Sequence, residues 1–192
     1  MFIQTEDTPN PATMKFLPSR AVVDTPMDIP DVEQAASSPL AQALFALDGV
    51  QGVFLGTDFI SVTRAPTVEW AVLRPAVLAV IMDHFVEGRP VVDVEAVGAA
   101  EAGASVASAG GETSSDEEVV RQIVELLDQR IRPAVAQDGG DVGFERYEDG
   151  IVYLRLKGAC AGCPSATATL KFGIEQMLRH FIPEVQEVRR VM

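Results

Sequence analysis

The chain has 192 residues, enough for one medium domain or two small ones, and 47% of them are apolar, so a core can be buried. Its formal net charge of −13 removes the basic face that nucleic acid or an anionic lipid surface would need. Two cysteines are too few for a disulfide scaffold, and no charge-free apolar run of about 18 residues is present to span a membrane. In chain order, Met1-Phe2-Ile3-Gln4-Thr5-Glu6-Asp7 has neither the basic, apolar pattern of a signal peptide nor the Arg-rich one of a transit peptide, and predicts a cytoplasmic protein. Ser38-Pro39 reads as an N-cap and first helical residue, opening a helix to about Leu47. Val50–Leu55 and Phe59–Arg64 flank Gly56-Thr57-Asp58 and predict a hairpin. Thr67 is the expected cap of a second helix carrying Trp70, Leu73, Val77, Ile81 and Phe85 on one face, kinked at Pro75 and stopped by Gly88 and Pro90. Val91–Val94 suggests a further strand.

Residues 96–115 are dominated by Ala, Gly, Ser and Glu and hold no aromatic residue, Leu or Ile. Such a segment buries too little to offset its ordering entropy and is expected to be a flexible tether. The expected organisation is therefore α+β: a mixed domain over 1–95, a linker over 96–115 and a second mixed domain over 116–192. In the second, Ser115-Asp116-Glu117-Glu118 has capping-box spacing ahead of Val119, Ile123, Leu127 and Ile131. Asp138-Gly139-Gly140-Asp141 breaks that helix. Val142–Glu148 and Ile151–Lys157 read as strands joined by the Asp149-Gly150 hairpin signal. After Gly158-Ala159-Cys160-Ala161-Gly162-Cys163-Pro164 comes a helix with Leu170, Ile174, Met177, Leu178 and Phe181 on one face. Pro183 ends it, and Val185–Val191 suggests a last short strand.

The chemistry concentrates in the C-x-x-C pair, Cys160 and Cys163. A short loop turning on Gly158 and Gly162 can bring both sulfurs to one side, and Pro164 as first helical residue puts Cys163 near the N-cap, where a thiolate is favoured. An iron–sulfur cluster is normally held by four thiolates. One chain offers two, so a cluster held by cysteine alone must bridge a homodimer. Three other readings stay open on the residues. A thioredoxin-like dithiol is one, although that motif usually follows the first strand of a βαβ unit and here follows a hairpin. A zinc site, also needing a dimer, is the second, and a pair of plain core residues the third. His180 reads as a surface or half-buried helix residue, and His84, near a helix C-terminus, as a dipole partner. Asp138 and Asp141 read as turn formers, and Gly139-Gly140 lacks the rest of a phosphate-binding fingerprint. No catalytic constellation stands out, and a non-enzyme is expected.

Asp138-Gly139-Gly140-Asp141-Val142, with Leu156-Lys157-Gly158-Ala159-Cys160-Ala161-Gly162-Cys163-Pro164-Ser165, resembles the NifU-like domain of Nfu-type iron–sulfur carriers. Gln4-Thr5-Glu6-Asp7-Thr8-Pro9-Asn10-Pro11-Ala12-Thr13-Met14-Lys15-Phe16 is similar to the opening of that family's N-terminal domain. The resemblance implies a [4Fe-4S] cluster bridged between two subunits by Cys160 and Cys163, taken from an assembly scaffold and delivered to apo iron–sulfur client proteins. It implies an N-terminal domain that recognises or positions clients. It favours a housekeeping carrier in a bacterial cytoplasm, leaving a processed mitochondrial form open.

Overall fold

The computed structural model describes residues 2–93, 114–160 and 164–191, without the side chains of 114–115 and 164–169. The chain divides into two compact units, Met1–Ala107 and Ser108–Met192. Both mix helix and sheet. The tether expected over 96–115 lies outside the described residues except for Ser114 and Ser115, which already belong to a helix.

The first unit is an antiparallel sheet with two helices. Its strands are β1 (Gln4–Asp7), β2 (Thr13–Leu17), β3 (Met27–Ile29), β4 (Val50–Leu55) and β5 (Ile60–Arg64), in the order β1-β2-β5-β4-β3. Register explains the two faces. Phe16, Ile60 and Leu55 lie opposite one another, as do Met14, Val62 and Val53. Because side chains alternate along a strand, both rows point the same way and build the core. Lys15, Ser61 and Phe54 form the intervening row, and there the Lys15 ammonium sits 4.7 Å from the Phe59 ring centroid.

The segment carrying the N-terminal resemblance is the β1–β2 hairpin. Its turn is tied by Asn10, whose Oδ1 accepts from the Ala12 N–H at 3.0 Å, and by Thr8, whose hydroxyl donates to the Asn10 carbonyl at 2.9 Å. Helix α1 (Pro39–Phe45) opens as expected: Ser38 Oγ accepts from the Ala41 N–H at 3.2 Å and donates to the Val91 carbonyl at 2.6 Å. Helix α2 (Trp70–Val86) runs continuously through Pro75. Its N-cap is Glu69, not Thr67, and makes no side-chain capping bond. Val91–Asp93 form no strand; the Asp93 N–H is spent on the Ser37 carbonyl at 2.8 Å. Val94 lies outside the described residues.

The first described element of the second unit is α3 (Ser114–Leu126), so Ser115 is inside the first turn rather than at its cap. A π-helical turn follows over Leu127–Ile131, then α4 (Arg132–Gln137). Pro133 has no N–H for the Gln129 carbonyl, and its ring would strike it, which accounts for the widening just before it. Strands β6 (Gly140–Glu148) and β7 (Ile151–Gly158) pair antiparallel around Asp149 (φ 48°) and Gly150 (φ 80°), the left-handed pair a two-residue hairpin uses. Helix α5 (Pro164–Phe181) then returns the chain, so that β8 (Glu187–Val191) pairs parallel with β7. Ile174 and Leu178 of α5 are fully buried with Val152, Leu154 and Val188 of the sheet. Phe181, expected on the same face, is 49% exposed beneath the Arg130 guanidinium, and Ile182 fills the core in its place. Among the described residues no helix is long and apolar enough to cross a membrane.

Candidate cluster-binding site

Cys160 lies in the turn that leaves β7, just past Gly158, whose φ of 62° swings the chain into the corner ahead of α5. Gly139, with φ 77°, makes the matching reversal between α4 and β6, and its carbonyl accepts from the Ala159 N–H at 3.2 Å. Both glycines occupy the left-handed region that other residues enter at a cost. The two turns that carry the C-terminal resemblance are therefore bonded to each other, and Gly140 pairs with Gly158 at the end of the ladder.

Gly140 has a second role that the sequence reading, which took it for a turn former, did not contain. A Cβ there would stand 2.7 Å from the Cys160 Sγ and 2.7 Å from the Lys157 carbonyl oxygen. The missing side chain is the space the sulfur occupies. Cys160 is 5% exposed and packs with the second unit's core. One feature of the plain core reading thus holds for Cys160. Cys163 lies outside the described residues; α5 starts at Pro164, the position after it.

Asp141 is more than a turn former. Its side chain is 13% exposed and stands 3.5 Å from Arg132 Nε, which also donates to the Val142 carbonyl at 3.0 Å. Arg132 in turn pairs with Asp128 at 3.0 Å. These contacts clamp α4 onto β6 beside the glycine turn. The sequence signal for Arg132 was its spacing of four from Asp128, a helical salt-bridge interval that was not used. Asp138 caps α4 through its backbone.

His180 is exposed on α5, edge-on to Phe181 with centroids 4.9 Å apart, as a surface helix residue would be. His84 corrects the dipole reading. It is 1% exposed, and neither ring nitrogen makes a hydrogen bond. Burial therefore holds its pKa below the usual 6.5; the neighbouring Pro90 carbonyl and Glu87 act the other way and Arg89 with it, without reversing the direction. The folded ring takes up its proton at lower pH than the unfolded one, which is protonated as pH falls through 6.5. Stability from this site is thus complete above pH 6.5 and declines as pH falls below it. In thermal melts between pH 7.5 and 5.5 the first unit of wild type should lose more stability than that of His84→Leu. Parallel pH profiles would refute the assignment.

The corner's topology revises one step of the sequence argument. The dithiol segment joins β7 to α5 within a β7–α5–β8 unit of parallel strands, so the absence of a βαβ setting no longer counts against a thioredoxin-like site. Among the described residues no three His, Cys, Asp or Glu side chains gather as a metal site.

Residues 3–88 match the family profile described as "Scaffold protein Nfu/NifU N terminal", and residues 123–189 match the "NifU-like domain". The human protein named "NFU1 iron-sulfur cluster scaffold homolog, mitochondrial" is 49% identical over 194 residues, covering 100% of this chain and 72% of its own length. The Drosophila sechellia protein of the same name is 46% identical over 196 residues; this chain, matched over 100% of its length, spans 65% of it. Among solved structures, a NifU-like protein from Saccharomyces cerevisiae aligns with 49% of this chain and 86% of its own, at 24% identity and a TM-score of 0.45.

Proposed function

From this chain's membership of the Nfu family of iron–sulfur cluster scaffold proteins, we propose that two copies hold a [4Fe-4S] cluster between them through Cys160 and Cys163 and pass it to apo-proteins. The observation that carries the reading is the donor supply: the chain has two cysteines, three positions apart, at one strand–helix corner. A cubane takes four thiolates, and two chains bring four. Soft thiolate donors suit iron–sulfur chemistry, and Gly140 leaves room for the Cys160 sulfur at the edge of the sheet.

The cluster is cargo. Two short loops holding it at a subunit boundary leave its edges open to an incoming thiolate, which displaces one carrier cysteine at a time. A carrier's site must protect the cluster and still bind it more weakly than the recipient does. Gly139 and Gly158, both in the left-handed region, turn the chain on either side of Cys160's β-strand end and leave no side chain of their own over the sulfur. Such a protein carries rather than catalyses, with an assembly scaffold as donor and apo iron–sulfur proteins as recipients. The mitochondrial relatives fit the mitochondrial form that the sequence left open beside a bacterial cytoplasm.

Anaerobic reconstitution with iron and sulfide tests this. The expected product is brown, holds about four irons per two chains, and runs at twice the chain mass in native mass spectrometry. A colourless protein cycling between dithiol and disulfide would establish the thioredoxin-like reading instead, which the β7–α5–β8 setting favours. A colourless, zinc-loaded dimer would establish the zinc reading.

A further inference from the structure

Helix α2 is apolar on both sides. Leu73, Val77, Ile81 and Phe85 are buried in the first unit's core. On the opposite side Val72, Pro75, Ala79, Met82 and Val86 are all exposed, Val72 and Val86 at 72% each. Their spacings of three and four residues make one straight stripe, about 21 Å long at the helical rise. Phe2, 74% exposed, runs beside it, and with Ile3 and Leu78 it closes one edge into a shallow groove. A helix that is hydrophobic all round is normally covered all round, and an apolar patch of this length marks a place of association.

The other edge is acidic. At about 100° per residue, Glu69, Asp83 and Glu87 fall on the side of the stripe away from Phe2, all exposed, with Glu87 paired to Arg89. The one Lys or Arg of α2 itself, Arg74, falls on the Leu78 side. Across residues 2–93 there are twelve acidic and five basic side chains.

We propose that this stripe is a docking surface for an amphipathic helix of another protein, apolar along one face and carrying Lys or Arg along one edge. The groove's length suits about four helical turns, and helix-in-groove recognition reads apolar anchors at these same intervals. Charge selects among occupants. A second copy would bring acidic edge against acidic edge, and an anionic bilayer would be repelled by the unit's excess of carboxylates. The chain's own 94–113 segment offers three valines as its only large apolar residues and three more glutamates. A basic-edged helix satisfies both the apolar stripe and the acidic border. This surface belongs to the first unit and does not depend on the cluster reading.

The test uses the full chain. A display library of helical peptides of about 15 residues, with apolar positions held at the stripe's spacing and all others random, is selected on wild type and counter-selected on Met82→Asp/Val86→Asp. Both side chains are exposed, so that variant should melt like wild type. Lys and Arg should enrich along one edge of the selected peptides, and binding should fall about tenfold, or roughly 1.4 kcal/mol, on Glu69→Lys/Asp83→Lys, a variant that leaves the stripe intact. Equal enrichment on both proteins, or neutral or acidic edges, would overturn the proposal. So would light scattering that shows Met82→Asp/Val86→Asp turning a dimer into monomers, which assigns the face to a second copy. Loss of binding to phosphatidylserine vesicles in that variant would assign it to lipid and overturn the proposal too.

Discussion

Cys160→Ala and Cys163→Ala, singly or together, are expected to take cluster-bound iron from about four per two chains to near zero, with the folded structure retained. Each substitution removes half of the donors that a bridging cluster receives, because both chains of a pair lose the same sulfur. Nothing else near the corner replaces them: among the described residues no cluster of His, Cys, Asp or Glu is present to take over ligation. The structural cost should be small. Cys160 is a minor member of a core built by Val152, Leu154, Ile174 and Leu178, and trimming one buried atom costs about 1 kcal/mol. Iron and sulfide assays with far-ultraviolet circular dichroism give both readings from one sample. A double variant that still reconstitutes to a full brown cluster would remove these cysteines from the proposal.

Gly140→Ala should be a damaging single-methyl change in the second unit. Its Cβ would meet the Cys160 sulfur and the Lys157 carbonyl, both at 2.7 Å. The sulfur can turn away, but the carbonyl belongs to the β6–β7 ladder and moves only with the strand. Overpacking of this kind costs about 1–3 kcal/mol, which for a unit of this size lowers the melting midpoint by about 4–8 °C per kcal/mol. Turning the sulfur away should also lower the cluster yield. Gly143→Ala, on the same strand, is the control. A Cβ there meets only the Arg155 carbonyl at 3.9 Å, an ordinary contact. It should melt within about 0.5 kcal/mol of wild type and load normally. Equal melting and equal iron in the two variants would show that the clearance under Cys160 is immaterial.

Local signals in the chain located most of the elements around the corner. Asp149-Gly150 placed the β6–β7 hairpin, Pro164 placed the start of α5, and the apolar spacing from Leu170 to Leu178 marked its inner face. Ser38 and Pro39 did the same for α1. Each is a signal contained within a few residues, which is why it could be read. Strands β1 to β3 escaped the reading for the complementary reason. β1 is an edge strand of polar residues, Gln4-Thr5-Glu6-Asp7, and β3 is three residues long. The strand character of β1 and β3 comes from the neighbours they pair with, whereas β2 does alternate, Met14 and Phe16 against Thr13 and Lys15, over a run of only five residues.

What the sequence settled alone was therefore the inventory: two folded parts of mixed structure, a pair of cysteines on a glycine-flanked corner, and the family that combines them. Periodicity shows that a face is apolar, but not whether anything covers it, so the outer stripe of α2 and the exposure of Phe181 awaited the folded chain. Spacing shows that a glycine turns, but not which atom fills the space it leaves. Gly140 meets the Cys160 sulfur, Arg132 meets Asp141, and β7 meets β8 in parallel only when segments separated along the chain are brought side by side. Those contacts are non-local packing, and packing is decided by the whole fold at once.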